Sequence, residues 1–133
     1  MKNFEDLEIW KQARQLTRQI YRLTKADNFA RDRVLRDQIQ RATVSVMSNI
    51  AEGFERGGNQ EFIQFLYVAK ASCGEVRSQL YVALDQGYIP ESQSHEMITA
   101  FRRLSGMIGN LIAYLRRSGM KGEKFSTSKS VET

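Results

Sequence analysis

Most of the side chains that carry chemistry are scarce in this chain of 133 residues. Its one cysteine, Cys73, excludes an intramolecular disulfide framework and cannot alone build a thiolate metal site. Its one histidine, His95, removes more. A ferritin-like di-iron bundle needs two Glu-x-x-His motifs, and Ser-His-Asp or Cys-His catalysis needs a histidine beside its nucleophile. His95 falls instead among Glu91, Ser94 and Glu96, in the solvated first turns of a predicted helix and far along the chain from Cys73. The arginine and nearby histidine used by helical ribonucleases have no counterpart. There is no Gly-x-x-x-x-Gly-Lys phosphate loop, and Gly53, Gly57 and Gly58 follow a predicted helix rather than a strand. No apolar run nears the roughly 18 residues of a membrane span, and Met1-Lys2-Asn3-Phe4-Glu5-Asp6 lacks the apolar character of a signal peptide. The reading from these absences is a non-enzymatic, cytoplasmic protein with no cofactor, no metal and no membrane contact.

The single proline, with apolar residues recurring at alternating spacings of three and four, predicts an all-α chain of one domain. A first helix from about Phe4 or Leu7 to Lys25 carries Ile9, Ala13, Leu16, Ile20 and Leu23 on one stripe, widened by Trp10 and Tyr21. Ala26 to Arg31 reads as a turn, with Asp32 as N-cap of a second helix that ends near Gly53. On that helix Leu35, Ile39, Ala42, Val46, Asn49 and Gly53 share one face, and Gln38, Arg41, Ser45, Ser48 and Glu52 form a polar seam beside it. A seam that flanks the core meets another helix, so Gln38, Arg41, Ser45, Asn49 and Glu52 are read as hydrogen-bonding groups that fix bundle register and subunit contact.

Gly57-Gly58 breaks the pattern, Asn59 caps a third helix that runs to about Gln86, Gly87 closes it, and Pro90 opens a fourth that Gly119 ends. The fourth repeats Met97, Phe101, Leu104, Ile108, Leu111 and Leu115, with Ile98 and Ile112 to one side. Short connections between four long helices predict an antiparallel up-down-up-down four-helix bundle over residues 1–118. A disordered tail over 119–133, rich in Gly, Lys, Ser and Thr, follows.

The third helix is the most informative about assembly. Phe62, Leu66, Ala69, Cys73, Val76, Leu80 and Ala83 form its heptad, which makes Cys73 a core thiol. Off that stripe lie Ile63, Tyr67 and Tyr81 on one flank and Phe65 and Val68 on the other, while Lys70, Glu75 and Arg77 are the only charges between Phe62 and Leu84. One subunit of this size cannot cover a helix that is apolar nearly all round, so a homo-oligomer with Ile63, Phe65, Tyr67, Val68 and Tyr81 at its interface is predicted.

Charge is segregated along the chain. The formal net charge of +5 divides into −2 over residues 1–10, +6 over 11–41, −4 over 42–101, +5 over 102–124 and 0 over the remainder. Lys11, Arg14, Arg18, Arg22 and Lys25 recur at helical spacing opposite the first apolar stripe, and Arg31, Arg33 and Arg36 extend the basic region around the first turn. Like charges four residues apart repel, so the stripe favours an outside anion. At the far end Arg116 and Arg117 are expected to pair with Glu52, Glu55 and Glu61.

Gln38-Ile39-Gln40-Arg41-Ala42, Ser45, Ser48-Asn49-Ile50-Ala51-Glu52-Gly53, Glu61-Phe62, Phe65-Leu66, Glu75, Leu80 and Gly87 together resemble the four-helix-bundle family of 23S ribosomal RNA intervening-sequence proteins. Phe4, Leu7, Trp10, Ala13 and Tyr21 also fit, so the resemblance covers about residues 4–117. Related accessory variability determinants of diversity-generating retroelements are strongly basic pentameric barrels that associate with nucleic acid and a reverse transcriptase. The resemblance therefore implies a ring-like homopentamer and a nucleic-acid role. The functional reading is a non-enzymatic bundle that binds nucleic acid, most simply RNA, through Lys11, Arg14, Arg18, Arg22, Lys25, Arg31, Arg33 and Arg36, without sequence preference. The alternative is a scaffold that docks a partner protein without touching nucleic acid.

Overall fold

The computed structural model describes residues 2–121. Among these it holds a 3-10 turn at Phe4–Asp6 and five α-helices, with no strand: α1 Glu8–Leu23, α2 Asp27–Arg31, α3 Arg33–Glu55, α4 Asn59–Asp85 and α5 Glu91–Lys121. The apolar stripes explain which helices meet. α1 packs on α3 and α5, and α4 packs on α3 and α5, so each long helix has two long neighbours. Paired heights show that neighbours run antiparallel. Thr17 Oγ1 lies 3.2 Å from Thr43 Oγ1 while Gln40 donates to Thr24 Oγ1 at 3.0 Å. Ser45 Oγ lies 3.0 Å from Ser72 Oγ while Gly53 abuts Phe65. Gly109 faces Lys70 while Arg116 meets Tyr67.

The ends of the helices depart from expectation in instructive ways. The predicted turn from Ala26 to Arg31 contains the five-residue α2, whose Phe29 is fully buried. Asp32 does cap α3, accepting from the Leu35 backbone N–H at 3.1 Å through Oδ1. Its other oxygen accepts the Tyr88 hydroxyl at 2.9 Å, and Phe29 stacks on the Tyr88 ring with centroids 5.3 Å apart. The first and third connections are thereby tied together at one end of the molecule.

At the second connection the N-cap of α4 is Gly58, and Asn59 is the first helical residue. Gly57 has a φ of +86°, which a side chain would strain. At the third, Gly87 has a φ of +74°, and two bonds close the helix: Gly87 N–H to Leu84 C=O at 3.0 Å and Tyr88 N–H to Ala83 C=O at 2.9 Å. That pair is a Schellman cap, so Gly87 closes α4 as expected. Gly119 does not stop α5, which continues to Lys121. A helical glycine costs only about 1 kcal/mol against alanine, too little to break a long helix alone. The rest of the predicted tail, 122–133, lies outside the described residues.

The interior follows the heptads closely. Phe62, Leu66, Ala69, Cys73, Val76, Leu80 and Ala83 are all buried, as are Ile9, Ala13, Leu16 and Ile20. On α3 the inward face turns slightly from the one predicted. Thr43 and Ile50 are fully buried, and Asn49, placed on the apolar face by simple spacing, is half-buried at its edge. On α5 Ile98 and Ile112 are inside, while Leu111 is half-buried. α3 and α4 approach closely at Gly53, where an added Cβ would lie 2.6 Å from Phe65 Cβ and 3.0 Å from Phe62 Cδ1.

Candidate nucleic-acid interface

Because Ile9, Ala13, Leu16 and Ile20 turn inward, the 100° step of a helix carries Lys11, Arg14, Arg18 and Arg22 outward, and all four are exposed. Lys25, just past the end of α1, is exposed too. From Lys11 to Lys25 the stripe spans about 21 Å along the helix axis. Among the described residues, none of Lys11, Arg14, Arg18 and Arg22 has a carboxylate within 4 Å. Glu8, the acidic group of the first turn of α1, accepts from Gln12 Nε2 at 3.1 Å. Arg14 lies over the Trp10 indole, 5.7 Å from its centroid.

Arg31 and Arg33 are exposed on either side of Asp32. Arg36 differs from the other predicted basic residues. It is half-buried, donates through Nη1 to the Ala30 carbonyl at 3.0 Å, and donates through Nε to Asp37 Oδ1 at 3.0 Å. Arg36 thus closes the C-terminal end of α2, and its charge is already engaged.

The polar seam of α3 separates into two groups. Asn49 Nδ2 donates to the Ser45 carbonyl at 2.8 Å and to Ser45 Oγ at 2.9 Å, and Ser45 Oγ meets Ser72 Oγ of α4. Ser45 and Asn49 therefore join a network across the α3–α4 contact that includes the buried Ser72. Gln38, Arg41 and Glu52 are exposed, and Glu52 pairs with Arg56 at 3.2 Å. Spacing alone cannot separate the two groups, because all five residues lie within one sector of the helix and only the position of α4 divides it.

On α4, Tyr67, Val68 and Tyr81 are 43%, 48% and 45% exposed, and Val82 beside them is 45% exposed. Ile63 and Phe65 are half-buried within the subunit, Phe65 between Gly53 and the Arg56 guanidinium, which lies 5.0 Å from its ring. Val44 on α3 is 38% exposed. Its signal in the sequence is a branched apolar residue standing off the core stripe. The expected pairing of Arg116 and Arg117 with Glu52, Glu55 and Glu61 does not occur. Arg116 instead lies 5.4 Å over the Tyr67 ring, because antiparallel packing brings that tyrosine level with it.

Two titratable groups stand clearly above their ordinary values. Burial pushes the Cys73 thiol up to about 12, partly opposed by Arg77 and Lys70. The bond to Asp32 holds the Tyr88 hydroxyl above its ordinary value. His95 is exposed, 3.8 Å from Glu91. Among the described residues no three His, Cys, Asp or Glu gather as a metal site, and no helix is long and apolar enough to cross a membrane.

No curated protein matches the chain. A crystal structure of a protein with unknown function from the S23 ribosomal protein family of Bacteroides thetaiotaomicron VPI-5482 matches with a TM-score of 0.73. The match covers 78% of this chain and 97% of that one at 21% identity, a likeness of fold. The family described as 23S rRNA-intervening sequence protein matches residues 5–110, from within the 3-10 turn through α1 to α4 and most of α5. With four-fifths of its length inside that match, the chain belongs to the 23S rRNA-intervening sequence protein family.

Proposed function

We propose that this protein is a non-enzymatic, homo-oligomeric bundle that binds RNA without sequence preference through the outer face of α1. The observation that carries the proposal is the run of Lys11, Arg14, Arg18 and Arg22, exposed and without a carboxylate partner among the described residues. Lys25, Arg31 and Arg33 prolong it at one end. Such a face neutralises phosphates and releases their counterions. Trp10 already lies under Arg14, so base stacking is a minor part of the interaction. The resemblance to pentameric relatives and the exposed α4 residues support several copies in a ring, working in the cytoplasm, with the basic face repeated in each.

The experiment is RNA binding measured against salt. Each phosphate contact contributes about 0.7–0.9 to the slope of log affinity against log salt. Arg14→Glu, Arg18→Glu and Arg22→Glu together should flatten that slope by about two to three units per engaged subunit and weaken binding at low salt. Salt-independent affinity, or affinity unchanged in the triple variant, overturns the proposal. The exposed Tyr67, Val68, Tyr81 and Val82 favour a second reading, a scaffold that docks a partner protein. A partner that survives nuclease treatment in a pull-down, together with no RNA binding by the purified chain, supports that reading.

A further inference from the structure

α1 has 16 residues and α5 has 31, so α1 covers only part of α5. Where α1 begins, a groove of about 310 Å³ opens between them, lined by Leu7, Ile9, Met107, Leu111 and Tyr114. Glu8 and Asn110 stand beside these apolar side chains, and Glu5 and Asp6 lie in the turn just before. On the other flank of α5, Tyr67 shares a shallow recess with Lys70, Ile112, Arg116 and Arg117.

We infer that the groove receives the Tyr67 face of a second copy of this chain, so that α4 of one subunit docks between α1 and α5 of the next. The inference rests on the homo-oligomer proposed above and adds which two surfaces meet. Charge complementarity is the first argument. The groove is flanked by Glu5, Asp6 and Glu8, and Tyr67 by Lys70, Arg116 and Arg117, so the two surfaces attract where either would repel its own kind. Height is the second. The groove uses α5 between Met107 and Tyr114, and the Tyr67 recess uses it between Gly109 and Arg117. The two therefore flank the same turns, and rotation about an axis outside the subunit and parallel to α5 brings one onto the other with little rise. A contact between unlike surfaces closes into a ring only without rise, and otherwise grows into a filament. Tyrosine and arginine are also the residues that most often anchor interfaces.

The test uses the full chain. Tyr67→Cys and Leu111→Cys proteins are purified separately, mixed and treated with a short bis-maleimide, while the wild-type chain is sized by light scattering. Native Cys73 is buried and does not compete. The expected result is an oligomer in which the mixture gives cross-linked pairs and neither protein alone does. Glu8→Lys and Arg116→Glu should each raise the concentration of half-assembly about tenfold, and the double reversal should restore most of the loss. A monomeric wild-type chain overturns the homo-oligomer itself. An oligomer whose mixture does not cross-link, a cross-link within one cysteine protein alone, or a double reversal no better than the singles overturns only the pairing of these two surfaces.

Discussion

Replacing Gly53 by alanine tests whether the α3–α4 approach sets the architecture. The new Cβ would stand 2.6 Å from Phe65 Cβ, an atom fixed to its own main chain, and 3.0 Å from Phe62 Cδ1. Carbon atoms rest about 3.6 Å apart, so the helices must part locally by about 1 Å, a gap that forfeits up to half of the dispersion across it. The Ser45–Ser72 contact at 3.0 Å lies two turns away and would stretch with them. Overpacking costs about 1–3 kcal/mol and the lost hydrogen bond about 1. Alanine's better helix propensity returns about 1. The net expectation is destabilisation by about 1–3 kcal/mol, a fall in Tm of roughly 4–12 °C for a domain of this size. Gly106 is the internal control, since a Cβ there meets nothing within 4 Å. Gly106→Ala should raise stability by up to about 1 kcal/mol in the same thermal melts. If Gly53→Ala melts at or above wild type and matches Gly106→Ala, close approach is not why glycine stands there.

The other consequences are smaller and separable. Ser45→Ala and Ser72→Ala should each cost about 1 kcal/mol in chemical denaturation, and the double variant less than their sum, because one contact is lost in both. Tyr88 titrates above its ordinary value in the folded chain, so the stability from its bond to Asp32 is full below about pH 10 and is lost as pH rises through the raised value. Tyr88→Phe should therefore lie below wild type in denaturation midpoint at pH 8 and converge with it in stronger alkali; a constant difference would show that the hydroxyl is not the cause. With its thiol pushed up to about 12, Cys73 should react with Ellman's reagent only through unfolding. Full labelling of the native protein within seconds at pH 8 would contradict its place in the core.

The long helices were legible because their apolar residues repeat often enough for the period to show. The α4 heptad from Phe62 to Ala83 is buried at every position. What escaped was short or non-local. α2 has five residues, too few to display a period, and the Asp32–Tyr88 bond joins positions 56 apart in sequence. The pairing expected for Arg116 failed for a related reason. Periodicity places the long helices but not the azimuth at which a side chain meets its neighbour, and azimuth sets Arg116 over Tyr67 and leaves Glu52 with Arg56. The basic stripe was fully legible, since exposure follows once the opposite face is known. Arg36 was the exception, because one of its two partners, the Ala30 carbonyl, comes within reach only once α2 forms.

The α3 segment from Ser45 to Gly53 lies within the stretch that carries the family resemblance, yet it lies away from the basic face. Its residues have a physical task of their own. Gly53 permits the close approach of α4, and Ser45 with Asn49 and Ser72 opposes sliding of α4 along α3, because a shift of one turn would take the buried Ser72 hydroxyl away from its Ser45 partner. α1 is held differently. It is the shortest of the four long helices, carries four exposed cations whose mutual repulsion costs a few tenths of a kcal/mol per i, i+4 pair, and depends on burying Ile9, Ala13, Leu16 and Ile20. An anion along α1 would relieve that repulsion, which is why the basic face, and not the α3 segment, is the surface we propose for RNA.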